Sequence, residues 1–153
     1  MRKQTVQSIT NNPLALAHEV GFTKLSGIHN EWMKSMLLSD KDKTLLGHRN
    51  SYKTTCLSMA IAYLLILEHE KNILFIRKTD DDVKEIIDQV RRILEKDIMQ
   101  SLVISLYGHG LTLRKSNVSE IDTSLNVNTR GAVQLLGMGT SGSLTGKHAD
   151  VII

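Results

Sequence analysis

The sequence predicts an α/β fold, a mostly parallel sheet flanked by helices, and three observations carry that prediction. The apolar run Thr44-Leu45-Leu46 reads as a short buried strand. A loop bearing Gly47 and Lys53 joins it to Thr54–Leu67, which is apolar nearly all round, as a helix covered on several faces would be. Asn72 to Arg77 then follows as a near-continuous apolar strand, and strand, helix, strand on this scale implies parallel pairing.

The remaining elements follow in order. After a polar lead, Asn12-Pro13 sets a boundary, and Pro13 suits the first turn of a short helix that ends near Gly21. Thr23 to Leu38 reads as a second helix, with Leu25, Ile28, Trp32, Met36 and Leu37 on one apolar face. Ser39 to Lys43 is a charged turn. Beyond Arg77, Asp80, Asp81 and Asp82 open a helix whose Val83, Ile86, Ile87, Val90, Ile93 and Leu94 form an apolar stripe, and Arg91, Arg92 and Lys96 close it. Acids first and bases last complement the helix dipole, so a structural role suffices for the three carboxylates. Leu102 to Leu106 and Leu111 to Arg114 read as short strands around Gly108-His109-Gly110, the pattern of a hairpin. Val133 to Gly137 is another strand, Gly137 to Gly146 a glycine-rich loop, and Asp150 to Ile153 the start of a further strand. The organisation is a helical segment, 1–42, leading into a core, 43–153.

The loop between the first strand and the apolar helix carries the chemistry. In the pattern G-x-x-x-x-G-K-[ST], backbone N–H groups wrap phosphates, the Lys reaches the outer two, and the hydroxyl ligates Mg²⁺. Gly47, Lys53 and Thr54 fit, whereas Tyr52 stands where the second glycine is expected and places a ring beside the phosphates. Asn50 suits the left-handed backbone such loops need. The helix N-terminus adds partial positive charge and free N–H groups at the same place. An ordinary strand-to-helix turn with a surface Lys is the bland alternative. Gly142 to Lys147 is a decoy of the same pattern: three residues separate its glycines, His148 stands where a hydroxyl should be, and no apolar helix follows.

Composition narrows the function classes. A chain of 153 residues with 41% hydrophobic content makes about one domain with a single core. Cys56 to Leu67, the longest apolar run, falls short of the roughly 20 residues a bilayer needs, so no membrane span is expected. The N-terminus lacks the apolar core of a secretory signal, and one cysteine, Cys56, fits a reducing cytoplasm. A net charge of +3 with no concentrated basic cluster permits contact with nucleic acid without arguing for it. His48, His109 and His148 show no zinc-ligand spacing.

Five blocks together resemble the N-terminal ATPase domain of the large terminase subunit of tailed bacteriophages, particularly prophage terminases of Gram-positive hosts. They are Asn12 to His18 with Gly21-Phe22; His29 to Trp32; Gly47 to Thr55; Phe75 to Thr79 with Val83 to Glu85; and Gly142 to Asp150. The resemblance spans nearly the whole chain. It implies a P-loop NTPase fold of the additional-strand (RecA-like/terminase) type. By the resemblance, Asp150 to Ile153 begins the strand that carries the Walker B acids, and the acid pair follows Ile153, outside this sequence. The fold is then incomplete at its C-terminus, and the strand between the Walker B and phosphate-loop strands is lacking. An exposed gap of that kind implies weak stability or self-association, with Thr44 to Leu46 paired to a neighbouring strand or a second copy in the slot.

The family packages double-stranded phage DNA into a procapsid through the portal protein, helped by a small terminase subunit, and cuts the concatemer with a C-terminal nuclease. The resemblance therefore implies ATP and Mg²⁺ as cofactors, a bacterial host cytoplasm as location, and self-association in the full-length motor. Lys53 contacts the β and γ phosphates; Thr54 holds Mg²⁺, with Thr55 as a lesser partner. Gly47, His48, Arg49, Asn50, Ser51 and Tyr52 complete the nucleotide loop, and Arg49 either stabilises γ-phosphate charge in cis or forms a surface ion pair. Tyr52 packs against the helix or lies near the base. His29 and Trp32 stand where such motors contact adenine, although a Trp at helical spacing also suits a core. Arg77 and Lys78, at the carboxyl end of a strand, meet phosphate or DNA or are merely solvated. Lys147 stands near where related motors place a trans-acting basic finger. Without the acid pair, turnover by these residues alone is not expected. The alternatives are a catalytically silent nucleotide-binding assembly module from a shortened or split gene, and another P-loop enzyme such as a small-molecule kinase.

Overall fold

The computed structural model describes residues 2–38, 41–127, 131–143 and 147–153. Ser39 and Asp40 of the charged turn and Leu144 to Gly146 of the second glycine-rich loop lie outside the described residues. The chain forms six helices, α1 (Arg2–Asn11), α2 (Pro13–Val20), α3 (Gly27–Leu38), α4 (Lys53–Leu67), α5 (Asp80–Leu94) and α6 (Asp97–Tyr107), among the described residues. Five strands accompany them there: β1 (Ile73–Arg77), β2 (Leu113–Ser116), β3 (Glu120–Thr123), β4 (Leu135–Gly139) and β5 (Val151–Ile152).

The fold class is the α/β one expected, in a single five-stranded sheet of order β2-β3-β4-β1-β5. β1 lies at the centre of a parallel trio, paired with β4 on one side and β5 on the other. The β2–β3 hairpin joins the far side of β4 in antiparallel fashion. α5 lies on this sheet against β4 and β1, with Val83 and Ile87 facing Gly137. Ile73, Phe75 and Leu135 point into the core, whereas Ile152 is 67% exposed. The contact is close because Gly137 allows it: a Cβ there would stand 2.4 Å from Val83 Cγ1. The N-terminus of α5 is tied to the same strand by Asp80, whose Oδ1 accepts the Gly139 N–H at 2.8 Å.

All six positions expected on the apolar stripe of α5 are buried. Thr79 caps this helix by accepting the Asp82 N–H, and Arg91 and Arg92 occupy its last turn. α4 sits between α3 and α5, which is why it is apolar on several faces; Cys56 and every residue from Ser58 to Ile66 are buried. Pro13 opens α2, and Gly21, at φ 120°, ends it in a left-handed cap.

Several expectations are overturned. Thr44 to Leu46 forms no strand, and Leu46 is 86% exposed: three residues without a paired neighbour have nothing to bury against. The parallel partners of β1 are therefore β4 and β5, and Thr44 to Leu46 does not pair with a neighbouring strand. Leu102 to Leu106 belongs to helix α6, because the residues it buries, Met99, Val103 and Leu106, recur at four- and three-residue steps. The hairpin accordingly forms from β2 and β3, while Gly108, at φ 79°, caps α6. The second helix starts at Gly27 rather than Thr23, and it buries His29 and Met33 while Ile28 stays exposed. The polar lead is itself helical, as α1.

Candidate phosphate-binding site

With no strand ahead of it, the loop before α4 takes its shape from its own backbone and from α3. Asn50 (φ 64°) and Tyr52 (φ 55°) are left-handed, with Ser51 at negative φ between them. Such alternation turns successive N–H groups toward one concavity, a form that binds anions. Tyr52 thus holds a backbone conformation that glycine adopts more readily than any residue with a side chain. A residue with a Cβ pays about 1–2 kcal/mol for that backbone. Among the described residues, none of the N–H groups from Arg49 to Thr55 donates to an acceptor within the chain. They gather at the start of a 15-residue helix, where the dipole adds to their charge.

Lys53 folds back across this loop. Its Nζ donates to the carbonyl oxygens of Gly47 at 2.5 Å and His48 at 2.6 Å, and to Ser51 Oγ at 3.2 Å. An ammonium held by neutral carbonyls is poised for a charged acceptor, because hydrogen bonds between ions are roughly twice as strong. The absence of a side chain at Gly47 permits this closure: a Cβ there would meet Ser51 Oγ at 2.9 Å, Lys53 Cδ at 3.1 Å and Trp32 Cη2 at 3.3 Å. Ser51, buried, closes the turn by donating from Oγ to the His48 carbonyl at 2.7 Å.

α3 supports the loop from below. His29 accepts the Ser26 N–H on Nδ1 at 2.8 Å, which leaves its proton on Nε2, 3.2 Å from the Ser51 carbonyl. Its ring meets Trp32 and Tyr52 edge-on, with centroids 5.2 and 5.8 Å away. Both ring nitrogens of His29 are engaged inside the chain, so in this arrangement the imidazole offers no hydrogen bond to a base.

The other residues singled out by sequence divide between two ends of the sheet. The end of α4 reaches Gln134, just before β4, whose Nε2 donates to the Leu65 and His69 carbonyls. The N-terminus of α4 therefore lies toward the carboxyl ends of β1 and β4, where Arg77 and Lys78 stand. Arg77 has its guanidinium carbon 5.8 Å from the Phe75 ring centroid, and its Nε is buried without a hydrogen-bond partner. Lys147 is at the opposite end, with Asn72, Lys115 and Glu120 around a cavity of about 310 Å³. Asp150 anchors β5, its Oδ2 accepting the Asn72 N–H at 2.8 Å.

Arg49 is exposed and, among the described residues, makes no ion pair. Thr54 and Thr55 stand half-buried in the first turn of α4. Mg²⁺ requires near-octahedral oxygen ligands and usually keeps several waters. Thr54 supplies one hydroxyl, and no group of three His, Cys, Asp or Glu side chains that could hold a metal occurs among the described residues. A metal would be held here chiefly by the phosphates it accompanies. Cys56, in the first turn of α4, is buried, and burial pushes its thiol up to about 11. No family model, curated protein or solved structure matches the chain.

Proposed function

We propose that this chain binds a nucleoside triphosphate through the loop Gly47–Thr55, as the ATP-binding part of a viral DNA-packaging motor of the terminase kind. The observation that carries the reading is the left-handed backbone of Tyr52 at the second-glycine position, with the Arg49 to Thr55 N–H groups donating to no acceptor among the described residues and Lys53 folded onto the Gly47 and His48 carbonyls. Lys53 takes the β and γ phosphates, Thr54 gives Mg²⁺ one oxygen, and the exposed Arg49 reaches the γ phosphate. The same resemblance assigns duplex DNA, the portal and the small terminase subunit as partners, and the one-sided pairing of β5 supports self-association.

Titration of Mg²⁺-ATP into the chain should give weak, measurable heat that Lys53→Ala abolishes; equal affinity of the two proteins would remove the assignment. A catalytically silent module is the second reading, favoured by Asp150, whose carboxylate accepts the Asn72 N–H and so serves the sheet.

A further inference from the structure

His29 occupies the third position of α3 after Ser26, and its Nδ1 reaches back to the Ser26 N–H as a Glu or Gln does in a capping box. Ser26 in turn accepts the His29 and Asn30 N–H groups on its carbonyl, so the ring is fixed in place and in tautomer by the helix start. The consequence falls on the other nitrogen. Nε2–H is aimed at the carbonyl of Ser51, the residue between the two left-handed positions, and the ring edge stands against Tyr52. His29 is only 8% exposed, so these contacts are made away from water.

We propose that His29 is the positioning residue of the phosphate loop: it clamps Ser51 and Tyr52 and so holds Tyr52 in the backbone that a glycine would adopt unaided. The proposal rests on the phosphate-binding reading above and adds how the site is kept open for its ligand. A binding-competent conformation that is only partly populated weakens apparent affinity by that fraction. The left-handed cost at Tyr52 corresponds to about a tenfold loss of that population when nothing offsets it. The clamp through α3 is what offsets it, and it replaces the strand that Thr44 to Leu46 does not form.

The test uses the full chain with four variants, His29→Ala, His29→Gln, Tyr52→Gly, and His29→Ala combined with Tyr52→Gly. Two readouts are taken: backbone carbon chemical shifts at residues 50–52, which report left-handed conformation without any ligand, and calorimetry with inorganic triphosphate. His29→Ala is expected to lose the left-handed signature at residue 52 and to bind triphosphate about tenfold more weakly. His29→Gln, which both accepts and donates, keeps most of the affinity. Tyr52→Gly binds about as the wild type does and restores binding in the His29→Ala background, a rescue that a merely structural histidine would not allow. Unchanged shifts and affinity in His29→Ala, or a folded double variant that stays weak, would overturn the clamp. If His29→Ala does not fold, Tyr52→Gly decides alone: affinity equal to wild type is expected, and markedly tighter binding would show that the wild-type loop is not held in the left-handed backbone and would overturn the clamp. Shifts that respond as expected while no form of the chain binds triphosphate would uphold the clamp and overturn the phosphate-binding reading.

Discussion

Cys56 and Tyr63 are buried in the same helix and face opposite demands. The Tyr63 hydroxyl donates to the Pro13 carbonyl at 2.6 Å, tying α4 to the start of α2, while the thiol stands among apolar neighbours. Burial raises both groups, Cys56 from 9.0 to about 11 and Tyr63 beyond its ordinary 10.0. Below pH 9 both states of the chain hold the thiol proton and its contribution is intact; between pH 9 and about 11 the unfolded chain loses that proton first, so stability falls. Melting temperatures measured across that range should decline in the wild type and decline less steeply in Cys56→Ala, with Tyr63 accounting for the remainder. Parallel declines would mean that the thiol is hydrated in the fold. At this scale the sequence was legible in part: Asn50 has the left-handed backbone expected of it. The left-handed state of Tyr52 could be expected only from the motif position, because tyrosine has no preference for it. The burial of His29 was hidden, since its reason is a long-range contact with Ser51.

The elements hold together through close approaches that side-chain type alone does not announce. Gly137 brings α5 onto β4, and a methyl group there meets the stiff β-branched Val83. Gly137→Ala should therefore destabilise by about 1–3 kcal/mol, measured by denaturant unfolding; a neutral effect would show that α5 can retreat. Gln134 is fully buried and joins three elements, its Oε1 accepting the Thr123 N–H and hydroxyl and its Nε2 reaching α4 and the turn after it. Gln134→Ala leaves those groups unpaired and should cost about 3 kcal/mol by the same measurement. A loss below 1 kcal/mol would mean that water enters and satisfies them. The long periodic stripe of α5 made it readable in the sequence. α6 was misread because five consecutive residues, Leu102 to Leu106, are apolar but for one serine, and short runs of that kind suit strand and helix alike. β3 escaped notice because Glu120-Ile121-Asp122-Thr123 pairs beside a sheet edge and needs little apolar content.

On the scale of the whole molecule, the parallel trio β4-β1-β5 and the helix α4 place the loop before α4 and Arg77 toward the same end of the sheet. No helix among the described residues is long and apolar enough to cross a membrane. α/β character was visible from the apolar strand Asn72 to Arg77 and the covered helix before it, whereas the sheet order depends on contacts between distant segments and could not be read from local pattern. Phosphoryl transfer needs an acid pair to hold the metal and orient water, since positioning and electrostatics supply nearly all the rate. No group of three His, Cys, Asp or Glu side chains that could hold a metal occurs among the described residues, and purified chain should bind ATP without turning it over; steady phosphate release lost in Asp150→Asn would show that Asp150 serves catalysis as well as the sheet. The central claim, that the N–H groups between Arg49 and Thr55 receive phosphate, is tested most directly by amide chemical shifts during titration with Mg²⁺-ATP. The account predicts saturable perturbations concentrated at Arg49 to Thr55 and absent from Lys53→Ala. Perturbations that leave those amides untouched, or that persist unchanged in Lys53→Ala, would contradict it.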